Sequence, residues 1–126
     1  MTETGESLRV DLNDRSYDIL VGADLLASTG SAIRAAAGGG RCWVVTDETV
    51  APLYLDTVMA SLREADLDAQ SIVLPAGEST KAFATLENIV NTVLDAAPER
   101  SSTLIALGGG VIGDITGFAA SVILRG

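Results

Sequence analysis

Histidine is absent from the 126 residues of this chain. Its absence excludes serine-histidine and cysteine-histidine nucleophiles, histidine-ligated metal sites and the most common general base of enzymes. The single cysteine, Cys42, cannot form an internal disulfide, and its apolar neighbours at residues 43–45 predict a small buried side chain rather than a reactive thiol. Histidine- and cysteine-based chemistry is therefore not expected of this chain.

Positive charge is also scarce, since the only lysine is Lys81 and the net charge at pH 7 is −9. So acidic a chain disfavours nonspecific attraction to nucleic acid or anionic membranes, and any phosphate binding has to come from local donors. No apolar run approaches the roughly 20 residues that span a bilayer, and the acidic N-terminus is unlike a signal or transit peptide. We expect a cytoplasmic protein that binds neither nucleic acid nor membrane.

The first part of the chain has the pattern of a β-hairpin. Apolar and polar residues alternate at residues 8–12 and 17–21, on either side of a turn at residues 13–15. Two period-two runs around a short turn are typical of antiparallel strands. Residues 22–37 then show helical spacing, and the glycines at residues 38–40 are a helix-ending signal.

Strand and helix patterns alternate in the rest of the chain. The expected elements are strands at residues 42–46, 69–74 and 103–107 and helices at residues 50–65, 83–97 and 115–124. This order predicts an α/β fold, a Rossmann-like parallel sheet with helices on both faces, carrying the N-terminal antiparallel hairpin. We expect one domain over residues 1–126, and we expect the chain to be a fragment, because the apolar helix at residues 115–124 is followed by no element that could cover it.

A glycine-rich segment at residues 108–114 (GGGVIGD) lies between a strand and a helix pattern. Its glycines fit the spacing G-x-G-x-x-G, in which backbone N–H groups at a helix N-terminus bind a pyrophosphate. A phosphate or dinucleotide site is one interpretation. The alternative is a tight turn whose glycines only let the strand and the helix pack closely.

Two more loops are expected at the same edge of the sheet, because ligands of parallel sheets bind at the carboxyl ends of the strands. These loops are residues 47–50 and 75–81. Asp47 could accept hydrogen bonds from a ribose or an adenine, or it could cap the following helix. Glu78 and Lys81 could form a local ion pair. A cation at a helix start opposes the helix dipole, however, so a phosphate or hydroxyl ligand of Lys81 is the competing interpretation.

Two charged residues flank the last predicted helix. Asp114 falls in its expected first turn, where it could either stabilise the helix dipole or contact a ligand. Arg125 falls at its end, where it could be a solubilising charge or a phosphate ligand.

Three segments in this order resemble the 3-dehydroquinate synthase family. They are residues 46–50 (TDETV), 74–81 (LPAGESTK) and 107–121 (LGGGVIGDITGFAAS), and residues 124–126 (LRG) match the family's continuation. The resemblance begins near Leu8 and corresponds to the N-terminal, NAD-binding third of a family member. It implies a lyase of the shikimate pathway, in aromatic amino acid biosynthesis, that depends on NAD and on a divalent metal (Zn or Co). Such an enzyme converts 3-deoxy-D-arabino-heptulosonate 7-phosphate to 3-dehydroquinate with loss of phosphate.

The resemblance also implies roles for individual residues. Asp47 would contact the adenosine of NAD. The ribose hydroxyls would be contacted by Glu78 and Lys81, with Gly77 beside them. The pyrophosphate and the nicotinamide end would be held by Gly109, Gly110, Val111 and Asp114. Arg125 would contact the phosphate of the sugar-phosphate substrate across a homodimer interface.

What the resemblance does not supply is a complete enzyme. In the family, the metal ligands, the catalytic lysines and most of the substrate pocket belong to a C-terminal, metal-binding helical domain that lies beyond the equivalent of Gly126. We therefore expect this chain alone to be inactive. Two alternatives are another sugar-phosphate cyclase, such as a 2-deoxy-scyllo-inosose or valiolone-type synthase, and a non-catalytic nucleotide-binding fragment.

Overall fold

The structure is a computed structural model that describes residues 5–96, 98 and 102–123. It confirms the α/β class, with a separate two-stranded hairpin and a three-stranded parallel sheet. In the hairpin, β1 (Glu6–Val10) pairs antiparallel with β2 (Tyr17–Val21), and Asn13–Arg15 form a 3-10 turn between them. The predicted hairpin and its turn are therefore confirmed.

The parallel sheet consists of β3 (Arg41–Asp47), β4 (Asp68–Leu74) and β5 (Thr103–Ala106). Their order in the sheet is β4-β3-β5, so β3 lies in the centre. All five residues between the two ends of β3 are buried, as expected for a strand that has a neighbour on each side and a helix layer on each face. The strands thus lie close to the predicted segments.

Four α-helices complete the described fold. They are α1 (Thr29–Ala37), α2 (Asp56–Glu64), α3 (Phe83–Asp95) and α4 (Gly110–Val122). Two of the predicted helices begin differently, since a 3-10 turn at Leu25–Ser28 precedes α1 and a π-helical turn at Ala51–Leu55 precedes α2. None of the described helices is long and apolar enough to cross a membrane.

Hydrophobic packing occurs on both faces of the sheet. On one face, Trp43 and Val45 of β3 pack with residues of α3 and α4, among them Ile89 and Ile115. On the other face, Cys42 and Val44 pack with α2, and residues of α1 lie at the margin of the cluster. Alternate side chains of a strand point to opposite faces, so the apolar run of β3 is buried from both sides. The prediction of helices on both faces is confirmed.

Candidate functional site

The three predicted loops follow β3, β4 and β5 at one edge of the sheet. Two backbone hydrogen bonds tie the strand ends together: Glu48 N–H donates to Leu74 O (2.9 Å), and Leu107 N–H donates to Val45 O (2.9 Å). The Glu48 carboxylate also accepts a longer hydrogen bond from Ala76 N–H (3.4 Å). The loops are therefore neighbours in space, as the parallel topology predicted.

The glycine-rich segment contributes more helix than expected. Helix α4 begins at Gly110, inside the segment, and its first hydrogen bond runs from Gly113 N–H to Gly109 O (3.0 Å). The N–H groups of Gly110, Val111 and Ile112 consequently have no acceptor within the helix. The expectation that Asp114 lies in the first helical turn was wrong, because it is the fifth residue of α4. Backbone hydrogen bonding decides the start of the helix, and glycines at a helix start permit it.

Packing explains only one of these glycines. A Cβ atom at Gly108 would lie 3.0 Å from Ile112 Cγ1, so glycine allows this position to pack closely against the helix. At Gly109, Gly110 and Gly113, by contrast, a Cβ atom would have no described atom within 4 Å. Glycine within a helix destabilises it relative to alanine. The interpretation as a packing turn therefore applies to Gly108, while the next glycines expose bare backbone.

Lys81 and Asp114 form an ion pair across the edge of the sheet. Lys81 Nζ lies 2.9 Å from Asp114 Oδ2, and the two side chains are 45% and 65% exposed. The hydrogen bond to Asp114, its negative charge and the charge of Glu78 raise the pKa of Lys81 above its ordinary value. Exposed ion pairs contribute little to stability. The ion pair formed by Lys81 is with Asp114, which joins the loop after β4 to α4, and Glu78 acts on Lys81 only through its charge.

Asp47 caps the turn that follows β3. It does not cap a helix as predicted, since the π-helical turn Ala51–Leu55 has Val50 at its N-cap and no side-chain cap hydrogen bond. Its Oδ1 atom accepts hydrogen bonds from Thr49 N–H (2.9 Å) and Val50 N–H (2.8 Å), and these bonds shape the turn after β3. Both bonds use the same carboxylate oxygen. The capping role therefore leaves the Oδ2 atom available to a ligand.

Gly77 holds the loop after β4 in a conformation that favours glycine, with φ of +107°. It precedes the 3-10 turn Glu78–Thr80, and α3 begins only at Phe83, so residues 75–81 form a loop as predicted. The buried hydroxyl of Thr80 donates to Pro75 O. These contacts position the loop that carries Glu78 and Lys81.

An apolar cleft of ≈ 300 Å³ lies beside the Lys81–Asp114 pair. Phe83 and Leu86 of α3 form one wall, and Ile115 and Phe118 of α4 form the other. Phe83 is 81% exposed and Phe118 is 52% exposed, which is unusual for large aromatic side chains.

Comparison with known proteins shows which proteins the chain is similar to. The family model for the N-terminal part of 3-dehydroquinate synthase matches residues 71–126. The 3-dehydroquinate synthase of Rhizobium meliloti is 50% identical over 126 residues, which are 100% of this chain and 33% of that protein. The chain is homologous to the N-terminal third of the 3-dehydroquinate synthases. The 3-dehydroquinate synthase of Rhodospirillum rubrum is similarly related, with 51% identity over 94% of this chain and 31% of its own length.

Solved structures of sugar-phosphate cyclases share the fold. A 2-deoxy-scyllo-inosose synthase superposes with a TM-score of 0.83 and 21% identity, covering 96% of this chain and 34% of its own. A 2-epi-5-epi-valiolone synthase from Streptomyces hygroscopicus, solved with NAD+ and Zn2+ bound, has a TM-score of 0.72 and 35% identity, covering 92% of this chain and 32% of its own. The chain thus spans about a third of the length of the proteins it matches.

The described chain provides several of the groups that a nucleotide-binding site needs. Unpaired N–H groups, the Lys81 ammonium and the Asp47 and Glu78 carboxylates lie at one edge, and these groups suit a nucleotide. Within residues 5–96, 98 and 102–123, no group of three metal-ligating side chains is present. The prediction for Arg125 falls outside the described residues.

Proposed function

We propose that the chain is the N-terminal, NAD-binding domain of a 3-dehydroquinate synthase. The parent enzyme would be a carbon-oxygen lyase that converts 3-deoxy-D-arabino-heptulosonate 7-phosphate to 3-dehydroquinate and releases phosphate. The observation that carries this proposal is the 50% identity to the Rhizobium meliloti enzyme over the whole of this chain. The chain's own contribution would be to bind and orient the cofactor.

The start of α4 fits the pyrophosphate of NAD. The N–H groups of Gly110, Val111 and Ile112 lack helical acceptors, and the positive end of the helix dipole adds to their attraction for an anion. Because no described atom lies within 4 Å of a Cβ position at Gly109 or Gly110, a phosphate can approach the backbone directly. The valiolone synthase solved with NAD+ bound is 35% identical to this chain, which supports NAD as the ligand.

The remaining groups suit the sugar and base parts of NAD. Asp47 would accept hydrogen bonds from the adenosine through Oδ2, since Oδ1 is occupied by the turn. Glu78 and Lys81, positioned by Gly77, would contact ribose hydroxyls. Asp114 orients Lys81 through their 2.9 Å contact and would lie toward the nicotinamide end. The chemistry that bound NAD would supply is reversible hydride transfer with the carbon atom that carries a substrate hydroxyl.

The other parts of the reaction require residues that are not described. A divalent metal, Zn or Co, would be held by the C-terminal helical domain, because the described residues form no metal site. Arg125 would bind the phosphate of the sugar-phosphate substrate in a homodimer. The parent enzyme would be cytoplasmic, and this chain alone would not release phosphate from the substrate above background.

A second candidate is a valiolone-type cyclase, which the 35% identity to the Streptomyces enzyme favours. The 50% identity to 3-dehydroquinate synthases makes the first candidate stronger. The 2-deoxy-scyllo-inosose synthases share the fold at 21% identity. A non-catalytic nucleotide-binding module would bind NAD equally well. A phosphate-release assay distinguishes the first candidate from the others. A longer protein that contains this chain is tested with 3-deoxy-D-arabino-heptulosonate 7-phosphate, NAD and Zn2+. If the substrate stays unconverted, the protein is not a 3-dehydroquinate synthase.

Calorimetric titration with NAD tests the cofactor site directly. We expect Lys81→Met to weaken NAD binding about tenfold, since hydrogen bonds to charged groups contribute about 1.5–3 kcal/mol. Arg63→Met is the matched control, because Arg63 is an exposed cation at the end of α2. Helix α2 lies on the face of the sheet opposite to α3 and α4. Equal NAD affinity of the two variants would show that Lys81 does not contact NAD. No heat with millimolar NAD, from a chain that is folded by circular dichroism, would count against a preformed site.

A further inference from the structure

The loop between β4 and α3 is attached to the end of the strand by one buried side chain. Among residues 75–81, all of which the structure describes, only Thr80 is buried, with 3% of its surface exposed. Its hydroxyl donates a hydrogen bond to the carbonyl oxygen of Pro75, the residue directly after β4. Buried hydroxyls are almost always hydrogen-bonded, and this hydrogen bond closes the loop on itself.

The backbone at Lys81 forms an inverse γ-turn. Its φ and ψ angles are −79° and 77°, and Ala82 N–H donates to Thr80 O across it (2.9 Å). These angles and this hydrogen bond define an inverse γ-turn. The N–H of Lys81 itself donates to Glu78 O (2.9 Å). The backbone of Lys81 is therefore fixed on both sides, and Thr80 supplies the acceptor on one of them.

The ammonium of Lys81 depends on this backbone for its position. The side chain is 45% exposed, and a lysine side chain is a flexible four-carbon stem that loses rotamer entropy when it is ordered. Its Nζ atom nevertheless lies 2.9 Å from Asp114 Oδ2. An exposed ion pair contributes little by itself, so the direction in which the backbone projects the side chain decides whether this contact forms.

We infer that Thr80 is a positioning residue of the cofactor site, because its buried hydroxyl fixes the γ-turn that directs the Lys81 ammonium toward Asp114. The inference rests on the proposed function only for the identity of the ligand, NAD. Thr80 acts through Lys81, since its own hydroxyl is bonded within the loop. A threonine that served stability alone would leave the Lys81–Asp114 contact unchanged in every variant that folds.

The test uses the fact that Lys81 is the only lysine of the chain. A chain made with lysine that is isotope-labelled at Cε therefore gives a single lysine resonance in the NMR spectrum. Asp114→Asn removes the charge beside Lys81 and should shift this resonance. We expect Thr80→Val to reduce that shift to about a third or less, because the ammonium then no longer lies beside Asp114.

Thr46→Val is the matched control for this substitution. Thr46 is 0% exposed, and its hydroxyl has no hydrogen-bond partner among the residues that the structure describes. The same change of side chain therefore removes no hydrogen bond at this position. The full shift on Asp114→Asn should remain in Thr46→Val, and so should the NAD affinity.

NAD titration of the same variants connects the loop to the ligand. Thr80→Val should weaken NAD binding about fivefold in the wild-type chain, but less than about twofold when Lys81→Met is also present, because the residue through which it acts is then gone. Thr80→Ser keeps the hydroxyl. It should keep the shift of the Lys81 resonance and should bind NAD within about twofold of the wild type.

Two results would overturn the inference. One is a Thr80→Val chain that is folded by circular dichroism and keeps the full shift on Asp114→Asn. The other is a loss of NAD affinity in Thr80→Val that is equally large without Lys81. If Thr80→Val does not fold, Thr80→Ser decides, since a folded Thr80→Ser chain that keeps the shift supports the inference and one that loses it contradicts the role of the hydroxyl.

Failure of the proposed function gives a different result. If Lys81→Met leaves NAD affinity unchanged, the contact proposed between Lys81 and NAD is wrong. The resonance of Lys81 is measured without NAD, so the role of Thr80 in directing Lys81 toward Asp114 is tested in either case.

Discussion

Replacing Gly30 with alanine should destabilise the chain strongly, because among the glycines of the described helices it has the shortest contacts for an added Cβ atom. Gly30 is buried in α1 where it crosses α2, and its N–H donates to Ser61 Oγ (2.8 Å). The same hydroxyl donates to Ala27 O (2.8 Å). A Cβ atom at Gly30 would lie 2.1 Å from Ser61 O and 2.7 Å from Ser61 C. Because these are backbone atoms, the two helices must separate.

The size of the effect follows from three contributions. Overpacking destabilises by about 1–3 kcal/mol, and contact with backbone places this site at the upper end. Separating the helices also weakens the buried hydrogen bonds of Ser61, which contribute about 1 kcal/mol each. Alanine stabilises a helix by up to about 1 kcal/mol over glycine, which offsets part of the loss. We expect the free energy of unfolding to fall by about 3 kcal/mol.

Gly117→Ala is the matched control, since a Cβ atom there meets nothing within 4 Å. This substitution in α4 should raise the free energy of unfolding by about 0.5–1 kcal/mol. Urea unfolding can be followed by the fluorescence of Trp43, the only tryptophan, which is 1% exposed. A Gly30→Ala variant within about 0.5 kcal/mol of the wild type, at an unchanged m value, would refute the reasoning.

Two further predictions concern β3. Asp47→Ala removes the two hydrogen bonds that cap the turn after this strand, and we expect urea unfolding to show a loss of about 1 kcal/mol. Glu64→Ala, at the exposed end of α2, is its control and should change stability little; equal effects would contradict the capping role. Burial, with a smaller effect of the Asp68 charge, raises the pKa of Cys42 above its ordinary value of 9.0. Folding therefore favours the neutral thiol, and this contribution to stability persists below pH 9.0 and is lost as pH rises through the higher pKa of the folded state. Iodoacetamide at pH 8.5 should leave Cys42 unmodified in the native chain and modify it in urea; rapid native modification would show that the thiol is accessible.

Local patterns were sufficient for the elements of the fold. Alternation at residues 8–12 and 17–21 predicted the hairpin, and apolar runs predicted the parallel strands within a residue or two. Helix starts were less predictable. Glycines at residues 108–110 read as a turn, yet α4 begins at Gly110, because a helix start depends on which N–H and C=O groups pair and glycine permits either conformation.

The site was predicted in outline but not in its contacts. Lys81 lies three residues after Glu78 in the sequence, and a local ion pair between them was one of the two interpretations of Lys81. The structure instead pairs Lys81 with Asp114, a residue of helix α4. Glu48 was not singled out, although it links the loops after β3 and β4; a carboxylate directly after a strand end was the available signal. Such contacts depend on how the strands are arranged, which periodicity does not encode.

By itself, the sequence determined the alternation of strands and helices, the glycine segment that exposes backbone N–H groups, and the absence of histidine chemistry. These properties are local, because they depend on residue type and on spacings of a few positions. The tertiary structure alone decided the order β4-β3-β5, the Lys81–Asp114 pair and the contact of Gly30 with Ser61. Each of these joins segments about 30 or more residues apart, and the packing of helices on both faces of the sheet brings them together.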